Sequence, residues 1–169
     1  MIHGDNPFAD DVDSRDPVRR FRGRLSAPVT IITSGSEGER SGLTVSSLIV
    51  LEGEPGRVEA VIGPSTDLWD TIESTGRFVV HICTDAHRAM AGVFAGLRPS
   101  PGGIFAGLAM SQSQWGPVID VLDNRAYCTY ESRREVGYAG VVSASVDRLE
   151  IGGLSQPLVY FRGGYHTLG

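Results

Sequence analysis

Apolar residues alternate with polar residues, or form short apolar runs, over much of the chain after Pro28. Both patterns are typical of β-strands, in which successive side chains point to opposite faces. They predict six or seven strands, in the stretches 29–34, 42–52, 57–63, 77–84, 126–132, 138–152 and 157–168. The turn "GSEGER" between the first two strands contains two glycines and favours a hairpin.

Two stretches change to the spacing of a helix. In residues 65–76, Leu68, Trp69 and Ile72 form one apolar face that follows a segment rich in Ser, Thr and Asp. We expect Trp69 to pack this helix onto the sheet. Residues 86–97 predict a second short helix, which its internal glycines weaken.

A polar stretch precedes these elements. Residues 1–17 are predicted to form a flexible arm, and residues 18–169 a single folded domain. At their junction "DPVRRFRGRL" predicts a short helix, with Asp16 as its N-cap and Pro17 at its first position. Residues 98–116 are predicted to be a loop, whose length indicates a functional or interface role.

These elements predict a mainly β fold, which is a small antiparallel β-barrel of Greek-key type with short helices. The chain has 169 residues and a formal net charge of −5. It therefore has no overall basic field, and neither nucleic acid nor a membrane is expected as a partner. All 15 basic residues are arginine. A lysine Schiff base and a P-loop lysine are thus excluded.

The two cysteines, Cys83 and Cys128, each lie in an apolar, strand-like run. We predict buried free thiols, and the absence of a Cys/His cluster predicts no metal site. The N-terminal sequence lacks the apolar core of a signal peptide. No apolar run approaches the roughly 18 residues that span a bilayer. We therefore expect a cytoplasmic location.

Hydroxyl side chains lie beside segments that otherwise resemble a core. Thr44 and Ser46 share one face of the predicted strand 42–52, whose other face is apolar except at Ser47. A strand that is apolar on both faces is expected to be buried on both faces, so these hydroxyls would lie near a group that needs hydrogen bonds.

Ser65 and Thr66 stand where the first predicted helix begins, and the free N–H groups of a helix N-terminus favour an anion. An extended ligand with a polar heterocycle and a phosphate would satisfy both groups of hydroxyls. Ordinary capping and the strand preference of threonine explain the same residues without a ligand. The pattern alone leaves both interpretations open.

Several motifs occur in an order that resembles one known family. They are "GLTVSS", "STDLWDTIESTGRFVVHI", "FAGL" and the closing "PLVYFRGGYHTL", and together they span roughly residues 24 to 168. In this set and order the chain is similar to the flavin reductase-like family, whose members are FMN-binding split β-barrels.

The resemblance implies a site and an activity. Thr44, Val45, Ser46 and Ser47 would line the isoalloxazine, and Gly63, Pro64, Ser65 and Thr66 would hold the ribityl-phosphate end. The chain would be an NAD(P)H:flavin oxidoreductase with FMN or FAD, which passes reduced flavin to a partner monooxygenase. It would form a homodimer, with residues 98–116 and the C-terminal strand as candidates for the partner's contribution.

Aromatic and basic residues add candidates to this site. Phe105 and Trp115, in the glycine-rich loop, are placed to cover a ligand. A dianionic ligand in an acidic protein requires local positive charge, for which Arg77, Arg88 and Arg98 are candidates.

The chain departs from the family at one position that bears on activity. Many members carry a histidine in the penultimate strand that would face the nicotinamide, whereas the matching stretch "GYAGVV" has Tyr138 and Ala139. His166 is a candidate substitute; His81 is interpreted as a half-buried strand histidine and His87 as solvated. Two alternatives therefore remain: a non-catalytic FMN-binding or flavin-carrier protein, and a deazaflavin-dependent relative.

Overall fold

The structure is a computed structural model that describes residues 16–169. All but the last two residues of the predicted arm 1–17 therefore lie outside the described residues. The predicted helix at the junction is confirmed as α1 (Pro17–Arg22), with Asp16 accepting a hydrogen bond from the Arg19 N–H. Within the described range, no helix has the length and apolar character that crossing a membrane requires.

Strands make up most of the rest of the described chain. After α1, the elements are β1 (Ala27–Pro28), β2 (Thr30–Ser34), β3 (Ser41–Val45), β4 (Leu48–Leu51), β5 (Arg57–Val61), α2 (Asp67–Thr75), β6 (Arg77–Ile82), a 3₁₀ helix (Asp85–His87), α3 (Arg88–Phe94), β7 (Met110–Ser113), β8 (Gly116–Ile119), β9 (Arg125–Val136), β10 (Ala139–Glu150), β11 (Leu158–Phe161) and β12 (Gly164–Thr167).

Seven of these strands form one antiparallel sheet in the order β3-β2-β6-β9-β10-β5-β4. Its two edge strands, β3 and β4, are consecutive along the chain and only Ser46 and Ser47 separate them. The sheet therefore curls until its two edges are joined by this two-residue link, hereafter the edge connection. The predicted mainly β, antiparallel fold with short helices is confirmed.

The prediction of one continuous strand over 42–52 is wrong. β3 pairs with β2, with Val45 opposite Thr30, whereas β4 pairs with β5, with Leu48 opposite Ala60. The chain changes partners at the edge connection, so the pleat cannot continue through it. Burial on both faces is also wrong for β4: Val50 is 66% exposed on one face, and its neighbours Ile49 and Leu51 are 57% and 44% exposed on the other.

Three clusters of buried apolar residues in the described chain stabilise the fold on the two faces of the curled sheet. The inner cluster contains Leu68, Trp69 and Ile72 of α2, and Trp69 packs this helix onto the sheet as predicted. A second cluster packs Ala91 and Phe94 of α3 on the outer face. The predicted buried free thiols are confirmed: Cys83 and Cys128 are buried and unpaired, and burial raises the pKa of each to about 12.

Three other predicted elements, a loop, a strand and a helix, differ from the structure. The loop 98–116 contains β7 and leads into β8, a hairpin whose strand Met110–Ser113 is too polar to stand out as a strand. The single strand 157–168 is the hairpin β11–β12, which turns at Arg162 and Gly163 with positive φ angles. The helix 86–97 begins as a 3₁₀ turn and ends at Phe94.

Candidate functional site

The edge connection lies against the loop that was predicted to hold the phosphate. The Val61 N–H donates a hydrogen bond of 2.8 Å to the Ser47 carbonyl oxygen, and Gly63 follows two residues later. The structure therefore brings together the two predicted segments, Thr44–Ser47 and Gly63–Thr66. Edge strands leave part of their backbone N–H and C=O groups without strand partners, so polar groups concentrate at this place.

Two of the predicted hydroxyls are already used by the fold. Thr44 Oγ1 donates to the Ala91 carbonyl oxygen at 2.7 Å. Thr66 caps α2: its Oγ1 donates to the Gly63 carbonyl oxygen at 2.7 Å and accepts from the Trp69 N–H at 3.4 Å. These two threonines position backbone segments around the site. Val45 is buried, so its side chain belongs to the core and its backbone borders the site.

Three other predicted hydroxyls remain available. Within residues 16–169, the side chains of Ser46, Ser47 and Ser65 make no hydrogen bond to another residue. Ser47 and Ser65 are exposed and Ser46 is half-buried. A hydroxyl offers both a donor and an acceptor, which suits the mixed polar edge of a flavin ring and its ribityl chain. The chemistry of this donor set fits a flavin.

The N-terminus of α2 is less suited to an anion than its position along the sequence suggested. Its first turn carries Asp67 and Asp70, whose carboxylates offset the positive end of the helix dipole. A phosphate at the Gly63–Thr66 loop would depend on Ser65, on backbone N–H groups and on an arginine from elsewhere.

Phe105 lies over the same face of β3 as Thr44. Its ring meets Phe94 edge to face, with ring centroids 5.3 Å apart. A Cβ atom on Gly42 would come within 2.6 Å of Phe94 and 3.1 Å of Phe105, so only glycine lets β3 approach both rings. Phe105 is thus placed where it can border a ligand. Trp115 is not, because it packs on Tyr127 and donates to Asp147 at the outer face of β9 and β10.

The three candidate arginines differ in whether their side chains already make hydrogen bonds within the protein. Arg88 is engaged with the Asp85 carboxylate and the Tyr165 carbonyl oxygen, and Arg77 bonds the Gln114 side chain. Arg98 makes no hydrogen bond or ion pair within the described chain. It lines a groove of about 560 Å³ between α3 and the residues that follow it. Arg98 is therefore the candidate that remains free to meet a phosphate.

His81 is a structural residue. It is fully buried, Nε2 accepts from the Ile119 N–H at 3.1 Å, and Nδ1 lies 3.0 Å from the Ile31 carbonyl oxygen. The proton therefore resides on Nδ1, and burial lowers the pKa of His81 to about 4. The interpretation as a satisfied strand histidine is confirmed, although its burial is complete rather than partial.

His87 and His166 are the other two histidines within residues 16–169. His87 was expected to be solvated, but it is half-buried and accepts from the Thr84 N–H, and burial lowers its pKa. His166 is exposed on β12, beside Phe161. Neither is brought into the seven-stranded sheet that carries the predicted site.

The segment that replaces the family histidine borders the site. Tyr138 is fully exposed at the tip of the β9–β10 hairpin, and Ala139 follows it at the start of β10. The Gly140 carbonyl oxygen accepts from the Ile62 N–H at 2.9 Å, directly before the Gly63–Thr66 loop. No imidazole is supplied at this position.

The structure also contains a groove that the sequence did not predict. A second groove, of about 310 Å³, lies between the β2–β3 turn and α2, and it is lined by Glu39, Arg40, Ser41, Asp67, Asp70 and Thr71. No local motif marks it, because its two walls are more than twenty-five residues apart along the chain.

Comparisons with known proteins identify the family and the fold. The family model described as "Flavin reductase like domain" matches residues 22–169. The chain is 26% identical to FMN reductase (NADH) RutF of Variovorax paradoxus over 168 residues, which cover 99% of this chain and 91% of that protein. It is 30% identical to the flavin-dependent monooxygenase reductase subunit HsaB of Mycobacterium tuberculosis, covering 89% of this chain and 81% of that one.

Solved structures show the same fold. The flavin reductase PheA2 superposes with a TM-score of 0.81 at 22% identity, covering 92% of this chain and 99% of that one. A homologue of nitrilotriacetate monooxygenase component B from Mycobacterium thermoresistibile superposes with a TM-score of 0.80 at 30% identity, covering 90% and 85% respectively.

Proposed function

The chain belongs to the flavin reductase-like family, and from this premise we propose that it is an NADH-dependent flavin reductase whose reduced flavin supplies a monooxygenase. The observation that carries the proposal is the edge connection, which lies next to the Gly63–Thr66 loop. The hydroxyls of Ser46 and Ser47 there make no hydrogen bond within the described chain. Relatives named as FMN reductases that use NADH, and as reductase components of monooxygenases, support it.

Different residues of the site would contact the two ends of the flavin. Ser46 and Ser47, with the backbone of Thr44 and Val45, would hold the polar edge of the ring system. Gly63, Pro64, Ser65 and Thr66 would surround the ribityl-phosphate end, and Phe105 would cover the site and exclude water. The flavin, FMN or FAD, supplies the hydride-accepting chemistry when bound.

Positioning is what this reaction requires of the protein. Hydride transfer between a nicotinamide and a flavin needs the two rings in contact, and it needs little acid–base help from side chains. The buried, neutral His81 and the exposed His166 therefore need no catalytic role. Ala139, in place of a histidine, is compatible with activity.

One observation favours a second function. The hairpin tip at Tyr138 and Ala139 offers no imidazole to a nicotinamide, which favours a flavin carrier that binds FMN without reducing it. A relative that uses a deazaflavin is the third possibility.

An anaerobic spectroscopic titration separates these functions. Purified protein would be mixed with FMN, then with NADH and separately with NADPH, while the visible flavin band is followed. Bleaching at a catalytic rate with NADH is the expected result. A perturbed flavin spectrum that neither nucleotide bleaches would support the carrier, and turnover with a deazaflavin alone would support the third possibility.

We further infer that the protein forms a homodimer through the β4 edge. Ile49, Val50 and Leu51 are 57%, 66% and 44% exposed on a strand whose outer edge has no partner in the described chain. Exposed apolar residues on an uncovered edge are the usual mark of an interface. A cytoplasmic location, consistent with two unpaired thiols, stays a prediction.

A further inference from the structure

The second groove, hereafter the acidic groove, contains a buried polar atom without a partner. Ser41 is 7% exposed, and its hydroxyl makes no hydrogen bond in the described chain. A buried hydroxyl left unsatisfied costs folding free energy, and native proteins usually supply a partner. Because Ser41 lines the acidic groove, a ligand there could provide that partner.

The charges of the groove define which ligand it accepts. Glu39, Asp67 and Asp70 contribute three carboxylates. Arg40 is the one guanidinium among the lining residues, and Arg133 lies 4.0 Å from Asp70. A groove with this balance attracts hydrogen-bond donors and repels a dianion. Across residues 16–169, no cluster of His, Cys, Asp and Glu is arranged to hold a metal ion.

The acidic groove is adjacent to the proposed flavin site. The Arg40 guanidinium carbon lies 5.3 Å from the centroid of the Phe105 ring. Gly42, the next residue, meets that same ring from the opposite face of β3, so the groove and the ring lie on the two sides of the free β3 edge. An elongated ligand whose one end lies against Phe105 would pass Arg40 before it enters the groove.

We propose that the acidic groove binds the adenosine ribose of NADH through its 2′- and 3′-hydroxyls and excludes the 2′-phosphate of NADPH. This inference rests on the proposed function. In Rossmann folds a carboxylate that accepts from the ribose 2′-hydroxyl recognises NAD, and the acidic groove offers the same chemical pairing. Asp67 and Glu39 supply that acceptor, Ser41 gains a hydrogen-bond partner, and Arg40 faces the diphosphate between groove and flavin.

The direct test is calorimetric binding of ADP-ribose and of 2′-phospho-ADP-ribose to the full chain with FMN present. We expect ADP-ribose to bind at least about tenfold more tightly, since a charge-assisted hydrogen bond is exchanged for repulsion. Equal affinities, or tighter binding of the 2′-phosphorylated ligand, would overturn the proposal. This readout requires no turnover, so it remains informative even if NADH is never oxidised.

Variants locate the effect. Asp67→Asn and Ser41→Ala should each weaken ADP-ribose binding severalfold, and Asp67→Asn should raise KM for NADH while kcat stays unchanged. Glu37→Gln is the matched control, because Glu37 is an exposed carboxylate in the same turn that does not line the groove. Thermal unfolding of each variant verifies folding. If folded Asp67→Asn and Ser41→Ala bind like Glu37→Gln, the groove is not the ribose site.

Discussion

The hydroxyl of Thr44 donates a hydrogen bond of 2.7 Å to the carbonyl oxygen of Ala91, which joins the edge strand β3 to α3. Because β3 has a strand partner on one side only, this bond provides a second attachment for the segment that leads into the edge connection. The threonine therefore acts on the site by holding backbone in place, and its effect should appear first in stability.

Thr44→Val should lower the free energy of unfolding by about 1 kcal/mol, because it leaves the Ala91 carbonyl oxygen without its donor. Urea denaturation measures this change. Thr44→Ser retains the hydroxyl and should keep most of the stability. A Thr44→Val protein with unaltered stability and much weaker FMN binding would instead assign the hydroxyl to the flavin.

In contrast to Thr44→Val, the double variant Ser46→Ala, Ser47→Ala should lower FMN affinity and leave stability unchanged. These hydroxyls make no hydrogen bond in the described chain, so stability should stay within about 0.5 kcal/mol of the parent. FMN affinity should fall about tenfold or more, as two hydrogen bonds to the ligand are lost. Fluorescence titration measures it, with the exposed Ser155→Ala as control. Undiminished affinity would remove the edge connection from the flavin site.

His81 should make the protein less stable in mild acid. The pKa of His81 is about 4 in the folded protein, below the ordinary value of 6.5. Between these pH values the unfolded chain binds a proton at His81 and the folded chain does not. Stability is thus complete above pH 6.5 and is lost as the pH falls toward 4. At pH 5 the loss from this group should be about 2 kcal/mol relative to pH 7.5.

Urea unfolding at the two pH values measures that loss, and NMR titration of the imidazole measures the midpoint directly. A His81 midpoint near 6.5 would contradict the buried, neutral assignment.

Gly140→Ala should disrupt the contact between β10 and α2. The added Cβ would overlap the Trp69 ring and come within 2.5 Å of the Ile62 carbonyl oxygen, so strand or helix must move. We expect a loss of about 2 kcal/mol or more, seen as a lower midpoint of thermal unfolding. Gly153→Ala is the matched control, since nothing lies within 4 Å of its added Cβ. Equal midpoints for the two variants would refute this packing.

Val50→Lys tests the proposed homodimer. A charge at the centre of the exposed β4 edge should convert dimer to monomer at micromolar concentration, because burying an unpaired ammonium is costly. Sedimentation velocity gives the oligomeric state. Val18→Lys, at an exposed valine of α1, should remain dimeric. A parent protein that sediments as a monomer would rule out the β4 interface.

Local patterns predicted a large part of this fold. Leu68, Trp69 and Ile72 recur at helical spacing, and that spacing alone indicates a helix with one buried face. Asp16 and Pro17 similarly mark the start of α1 because capping involves only neighbouring residues. The ordered motifs further indicated the family, because each motif is a set of residue types at fixed spacing within one or two neighbouring helices or strands.

Other features depended on contacts between distant segments. Leu48–Leu51 continue the apolar pattern of β3, so the sequence contains no mark of the partner change that creates the edge connection. Whether a hydroxyl serves the fold, as in Thr44, or stays free, as in Ser46, depends on whether a carbonyl such as that of Ala91 lies within reach.

The sequence by itself therefore determined most of the helices and strands, the family and the set of polar residues from which a site could be built. The tertiary structure decided which of those residues meet, which are already engaged, and that Ser41 and Asp67 share a groove. The physical reason is range: helical and strand periodicity act over a few residues, whereas hydrogen bonding and burial at the site join segments that only folding brings together.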